Sequence, residues 1–300
     1  MMQKPDYAFC RLCPRQCCVD RTAGAVGFCG SPDRAVVAKT MLHQWEEPVL
    51  APGGRSGAIF FGGCTLGCRY CQNRAISTVP AGTLADAPQL RQMMLALIEQ
   101  GAENIDLVTP THFLPTVIQA LEEKLPVPVV YNCGGYERSE MIEALAGKVD
   151  IFLPDLKYAN NALAARLSGA GNYVQYATAA IRQMVQVAGP VRMEGDKMTG
   201  GVIIRHLVLP GQVENSLKVL DWIGENFRPG EVLVSLMGQY TPMPGMQPPM
   251  DRRVTQEEYD AVLSWMYLNG LQGFAQELSA ADGDFIPDFS GSDEILPKKL

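Results

Sequence analysis

The feature that most constrains this chain is a run of three cysteines. Cys64, Cys68 and Cys71 lie in the stretch Gly62-Gly63-Cys64-Thr65-Leu66-Gly67-Cys68-Arg69-Tyr70-Cys71-Gln72-Asn73, a C-x-x-x-C-x-x-C spacing with an aromatic residue before the last Cys. Three thiolates on one tight loop suit three corners of a 4Fe–4S cube and leave the fourth iron without a protein ligand. Cysteine-only clusters are closed by four thiolates, so an open iron implies that a further molecule binds there. The apolar run Ala58-Ile59-Phe60-Phe61 feeds directly into the loop and reads as a buried strand.

A second cysteine set precedes it. Cys10, Cys13 and Cys17 form C-x-x-C-x-x-x-C, and Cys29 follows across Gly24 and Gly27; Cys18 adjoins Cys17, so one of the two is expected to ligate. Four thiolates close either a tetrahedral zinc site or a second 4Fe–4S cluster, and both readings stand at this level. The chain has nine cysteines, an odd number concentrated in short clusters. This pattern points to metal ligation in a reducing compartment, not to a disulfide framework.

The rest of the composition sets bounds. Three hundred residues, 47% hydrophobic and 19% charged, suit one large α/β domain with a small appendage. A net charge of −7 argues against a protein that grips nucleic acid through its phosphates. No 18-residue apolar run and no basic-then-apolar leader is evident, so neither a membrane span nor a secretory signal is expected, and a cytoplasmic location is.

Apolar periodicity divides the chain into a Cys-rich extension over residues 1–50 and a β/α body over 51–300 that ends in a Pro/Met-rich loop. Helices are expected at 87–100, 112–124, 139–146, 173–188, 214–226 and 255–269. Strands are expected at 104–108, 126–131, 149–153, 201–209, 232–236 and 271–275. Strands alternating with helices imply a parallel sheet. No G-x-G-x-x-G opens the first unit, and polar residues recur just after the strands. The expected fold class is therefore α/β, a partial or full parallel β/α barrel of TIM-like kind with the Cys-rich extension, its site at the C-terminal strand ends.

The strand-end residues are the candidate binding groups. Thr109-Pro110-Thr111-His112 follows the second strand. Asn132-Cys133-Gly134-Gly135 follows the third, where paired glycines admit either close ligand approach or a plain turn. Asp155 and Lys157 follow the fourth, sharing one side if the strand continues, as a functional pair or a surface ion pair. Arg205 lies inside the apolar fifth strand, where it needs a partner: a ligand carboxylate or a structural one. Ser235, Met237, Gln239 and Tyr240 come later, and the loop Thr241–Met250 is a candidate cover for the barrel mouth.

With these motifs in view, the chain resembles the radical S-adenosylmethionine (SAM) superfamily. Within it, the chain resembles the PflX-type relatives of pyruvate formate-lyase activating enzyme. The resemblance rests on Cys10-Arg11-Leu12-Cys13-Pro14-Arg15, the loop through Asn73, Pro110-Thr111-His112-Phe113, Tyr131-Asn132, Asp155-Leu156-Lys157 and the tail Phe274-Ala275-Gln276-Glu277-Leu278. It implies a 4Fe–4S cluster on Cys64, Cys68 and Cys71 that reduces SAM to a 5′-deoxyadenosyl radical, which abstracts hydrogen from substrate. It also implies SAM contacts among Gly63, Tyr70, Thr109, Asn132, Asp155, Lys157 and Arg205. The activases' Gly-Gly-Glu-Pro-like run is replaced here by Thr109-Pro110-Thr111-His112. The implied partners are a flavodoxin or ferredoxin electron donor and a glycyl radical enzyme or other protein substrate. Alternatives are a radical SAM enzyme for a small molecule, and a non-enzymatic electron carrier or metal scaffold.

Overall fold

The computed structural model describes residues 5–44, 46–276, 278 and 289. In chain order its elements begin with β1 (Ala35–His43), β2 (Ser56–Phe61), α1 (Arg74–Ser77), β3 (Thr83–Ala85), α2 (Ala87–Glu99) and β4 (Asn104–Val108). A 3-10 turn at Thr111–Phe113 then leads into α3 (Leu114–Ala120), β5 (Val129–Cys133), α4 (Ser139–Glu143), β6 (Ile151–Pro154), α5 (Asn161–Ser168) and α6 (Tyr173–Ala188). The chain continues through β7 (Arg192–Glu194), β8 (Lys197–Leu207), α7 (Val213–Asn226), β9 (Leu233–Met237), α8 (Gln256–Leu268) and β10 (Gly273–Ala275).

Strands β2, β4, β5, β6, β8, β9 and β10 are parallel and adjacent in that order. β1 extends the sheet antiparallel beyond β2, and β3 pairs antiparallel with β1. Helices between successive parallel strands cover one face, giving a partial β/α barrel. Residues 35–43 of the Cys-rich stretch thus form a strand of the main sheet.

Alternation sorts the strand side chains into two faces. Tyr131, Phe152, Val202 and Ile204 join the large core against the helices. Val130, Ile151, Leu153 and Ile203 line the concave face, where Leu50 and Met198 pack on them. Toward the C-terminal strand ends the same face carries Asn132, Asp155 and Arg205, in register with the apolar residues below.

Local chemistry sets the element boundaries. Asp86 and Gln89 form a reciprocal capping box that starts α2, and Thr255 and Glu258 do the same for α8. The third parallel strand pairs over 129–133, later than the expected 126–131. Pro126 and Pro128 have no N–H to donate to a ladder, so pairing begins after them and carries Asn132 and Cys133 into the strand. The expected helix over 112–124 is the 3-10 turn plus the short α3, with Pro115 in its first turn. Helix α5 is additional to the expected elements. Asn160 caps it through its side-chain oxygen, which accepts from the amides of Ala162 and Leu163. In the tail motif, Glu277 lies outside the described residues, as do the extreme ends of the two expected segments.

Candidate active site

Strand β2 delivers the chain into the three-cysteine loop, which is built from both sides. Gly63 has φ +84°, and a Cβ there would lie 2.7 Å from Ser31 Oγ and 2.8 Å from the Cys29 carbonyl oxygen. Only glycine permits this approach of the Cys-rich head to the loop. On the other side, the amide of Gly67 donates to the Ser168 carbonyl (3.2 Å) and that of Arg69 to the Leu167 carbonyl (2.8 Å), clamping the loop to the end of α5. Arg15 spans both supports, donating from Nε to the Thr65 carbonyl (3.0 Å) and from Nη1 to the Gly169 carbonyl (2.7 Å).

Each thiol sulfur on the loop accepts one hydrogen bond. Cys64 receives the Leu66 amide (3.3 Å), Cys68 the Ser168 hydroxyl (3.0 Å) and Cys71 the Ser77 hydroxyl (3.4 Å). Burial pushes the Cys64 and Cys68 thiols up, with Lys157 nearby opposing the shift at both. Tyr70 is buried, its hydroxyl 2.7 Å from that of Tyr158 and its ring 6.0 Å from that of Tyr240. Gln72 donates to the Gln239 carbonyl (3.0 Å), so the residues after β9 close against the loop.

The strand-end residues form one connected network. Lys157 Nζ pairs with Asp155 Oδ2, and Arg205 Nε with Asp155 Oδ1 at 2.8 Å. Arg205 Nη2 donates to Asn132 Oδ1 (2.5 Å), and Asn132 Nδ2 to Asp106 Oδ2 (3.1 Å). The side chains of Asp155, Lys157 and Arg205 are 13%, 16% and 17% exposed, which removes the surface ion-pair alternative. Burial alone would raise the Asp155 pKa, but Arg205 and Lys157 hold it below the usual carboxylate range. Burial would lower that of Lys157, and Asp155 together with Cys68 raises it instead.

Several expectations change on this view. Arg205 is already engaged by Asp155 and Asn132 at Nε and Nη2, so its partner is structural at those nitrogens. The Gly134-Gly135 pair admits protein, not an open ligand space. A Cβ at Gly134 would meet Leu66 Cδ1 at 2.8 Å, and one at Gly135 (φ +77°) would meet the Asp155 carbonyl oxygen at 2.1 Å. Thr109 holds φ +61°, a costly conformation for a β-branched residue, while its amide donates to the Asn132 carbonyl (2.8 Å). His112 is buried with Nε2 on the Gly62 carbonyl (2.9 Å), and its own carbonyl accepts from Arg21 Nη1. Burial pushes its pKa down to about 4, so it is a neutral strut beneath the loop.

Other groups join the site without a motif to mark them. Glu47, from the segment after β1, is buried near Arg205 and Ser235, and burial pushes its pKa up to about 7. Asp106 is fully buried, and burial with Glu46 beside it raises its pKa well above the ordinary value. Glu137 accepts from Thr111 Oγ1 (2.6 Å) and Tyr131 (3.4 Å), and burial pushes it up to about 8. The signal that would have found Asp106 is period-two alternation with Asn104 within β4. For Glu47 and Glu137 no periodic signal exists, because both lie off the strands.

In the head, Cys10 and Cys13 are buried, and Cys17 and Cys29 half-buried. Burial pushes Cys13 up to about 12, with an opposing hydrogen bond from the Arg15 amide and neighbouring Cys29, Glu137 and Cys10 adding to the rise. Cys17 accepts from the Phe28 amide (3.4 Å), and Gly27 leaves room for its sulfur, which would lie 2.8 Å from a Cβ. Cys18 is exposed and donates to the Gln16 carbonyl (3.1 Å).

Among the described residues, no three His, Cys, Asp or Glu side chains converge closely enough to share one metal ion. A closed zinc site requires four donors around a single ion, and in the head Cys10 and Cys29 lie close enough to Cys13 to act on its thiol. The test is different for a cube, whose thiolates bind separate irons and need not converge on one point. Three partly buried thiols on one clamped loop, each facing a hydrogen-bond donor, fit that requirement.

Residues 58–223 match the radical SAM superfamily model, and the chain belongs to that superfamily. It is similar to uncharacterized protein MJ0674 of Methanocaldococcus jannaschii, with 30% identity over 272 residues that cover 87% of this chain and 75% of that protein. Among solved structures, a radical SAM methyltransferase from Sphaerobacter thermophilus has a TM-score of 0.53 at 14% identity, covering 74% of this chain and 66% of its own. Streptococcus suis SuiB bound to S-adenosylmethionine has a TM-score of 0.50 at 13% identity, covering 74% and 50% respectively. These likenesses establish the fold, and the chain spans only part of both proteins. No helix among the described residues is long and apolar enough to cross a membrane.

Proposed function

We propose that this chain is a radical SAM enzyme of the activating-enzyme kind. The reading holds that Cys64, Cys68 and Cys71 carry a 4Fe–4S cluster, and that SAM binds between that cluster and the Asp155–Lys157–Arg205 network. The observation that carries the reading is the adjacency of the two: Leu66 of the loop and Lys157 both close on Gly134, 2.8 and 3.7 Å from where its Cβ would stand, while Lys157 pairs with Asp155. When bound, the cluster supplies the electron for reductive cleavage of SAM, the source of the hydrogen-abstracting radical.

The protein's own contribution is placement and exclusion of water. Gly63, Arg15 and the end of α5 fix the loop. Tyr70 and Tyr240 wall it. Lys157 offers a cation to a ligand carboxylate, and Asp155 keeps that cation in place. Asn132 and Thr109 border the same strand ends, and in this reading they contact SAM through backbone and side-chain groups. Glu47 and Asp106, with raised pKa values, bring less negative charge to the barrel interior than two ionised carboxylates would. For the head, the reading is a metal site on Cys10, Cys13, Cys17 and Cys29 that holds either a second cluster or a zinc ion. The expected donor is a flavodoxin or ferredoxin in the cytoplasm.

The substrate reading is a glycine Cα–H in a protein loop, on the strength of the resemblance to the activases. SuiB, which shares the fold, has been solved with its precursor peptide SuiA, so this architecture accommodates a peptide in that protein. The test of SAM binding is equilibrium dialysis with anaerobically reconstituted protein. Saturable binding by wild type that is lost in Cys68→Ala supports the reading; equal binding by both, or none by a wild type of full iron content, contradicts it.

A further inference from the structure

The three loop thiols differ in what stands behind their hydrogen-bond donors. Cys64 faces a fixed backbone amide, and Cys71 faces the half-buried Ser77. Cys68 faces Ser168, which is completely buried and sits 2.6 Å from the Tyr158 hydroxyl, itself 2.7 Å from the Tyr70 hydroxyl. The chain Tyr70–Tyr158–Ser168–Cys68 is therefore continuous and shielded from solvent, its three hydroxyl residues no more than 6% exposed. Its members are held rigidly. The Tyr158 ring packs edge-on against Tyr173 with centroids 5.2 Å apart, and the Ser168 carbonyl is clamped by the Gly67 amide.

Ligation would fix the direction of this chain. A thiolate has no proton to give, so Ser168 must donate to Cys68. The Ser168 oxygen then accepts from Tyr158, and the Tyr158 oxygen from Tyr70. All three O–H dipoles point toward one sulfur, and hydrogen bonds in such a series polarise one another.

We propose that Tyr70, Tyr158 and Ser168 form a hydroxyl relay that sets the reduction potential of an iron–sulfur cluster held at Cys68. The inference rests on the cluster reading of the loop given above. Hydrogen bonds to ligand sulfur withdraw charge and favour the reduced, more negative state, which raises the potential. Tyr158 and Ser168 touch no cluster iron in this account and act through Cys68, so they are positioning residues.

The test is a redox titration of anaerobically reconstituted protein, followed by electron paramagnetic resonance with iron and sulfide quantified. Ser168→Ala is expected to lower the reduced-to-oxidised ratio at a fixed potential about tenfold, about 59 mV for a one-electron couple. Tyr158→Phe is expected to move it in the same direction by a smaller, several-fold factor. Adding Tyr158→Phe to Ser168→Ala is expected to change nothing more, because the relay is already cut. If Tyr158→Phe alone fails to fold with the Tyr70 hydroxyl stranded, the Tyr70→Phe/Tyr158→Phe pair removes the stranded group and gives the same reading. Unchanged potential in these variants at wild-type iron content overturns the relay alone. A wild type that assembles no cluster overturns the reading of the loop and the relay with it.

Discussion

Arg15 donates from Nε to the carbonyl of Thr65 at 3.0 Å, joining the Cys-rich head to the middle of the three-cysteine loop. The same guanidinium reaches the Gly169 carbonyl at 2.7 Å, so one side chain holds the loop and the helix end that supports it. Phe28 lies over this guanidinium at 3.8 Å from its ring centroid. Charge-assisted bonds of this kind contribute about 1.5–3 kcal/mol. Arg15→Ala is expected to lower stability by about 2 kcal/mol in urea denaturation and to reduce iron retained after reconstitution. Arg15→Lys is expected to recover little, since a single ammonium lacks the planar fork that reaches both carbonyls.

Gly63→Ala tests the contact between head and loop from the opposite side. The added Cβ would meet Ser31 Oγ and the Cys29 carbonyl oxygen below 3.0 Å, at a φ of +84°. The combined strain and steric cost is expected to be about 1–3 kcal/mol. The check is the denaturation midpoint; a loss below about 0.5 kcal/mol would show that the head does not seat on the loop as described.

Asp155 is the common anion for two buried cations. Asp155→Asn leaves Lys157 and Arg205 without their charge partner at 16% and 17% side-chain exposure. Breaking a buried pair in this way costs about 3–5 kcal/mol. Denaturation should show that loss, and SAM affinity should fall with it. Lys157→Met, which removes one cation and leaves the Arg205–Asp155 pair, is expected to cost less stability while still weakening SAM binding.

Glu137 makes stability depend on pH in a definite direction. Burial raises its folded pKa to about 8, against about 4.3 for an exposed glutamate. Between those values the folded protein binds more protons than the unfolded chain. This contribution is therefore fully present below the unfolded pKa and is lost as pH rises toward 8. Glu47, raised to about 7, acts in the same sense over a narrower window. Glu137→Gln is expected to flatten the fall in melting temperature between pH 5 and pH 8. A slope identical to wild type would contradict the raised pKa.

Much of the fold is legible in the sequence because long periodic segments fix their own type. The apolar stripe of residues 87–99 and the run at 104–108 appear where periodicity puts them. Residues 126–128 depart because ladder pairing needs N–H groups that Pro126 and Pro128 lack. Helix α5 spans only eight residues, too few for its apolar pair Leu163 and Leu167 to stand out as a stripe, and its start is fixed by the Asn160 cap. The three-cysteine loop and the Asp155–Lys157 pair are visible as spacing in one dimension. The carboxylates of Glu47, Asp106 and Glu137, and the Tyr158–Ser168 contact behind Cys68, depend on which strands become neighbours. Tyr158 and Ser168 sit ten residues apart, Tyr158 before the short helix α5 and Ser168 at its last position.

The most direct test of the central claim is formation of 5′-deoxyadenosine from SAM by anaerobically reconstituted, dithionite-reduced protein, with Cys68→Ala run beside wild type. The account predicts deoxyadenosine from wild type and none from Cys68→Ala. Wild-type protein with about four irons per chain at the loop that binds SAM but yields no deoxyadenosine above the Cys68→Ala background would contradict it.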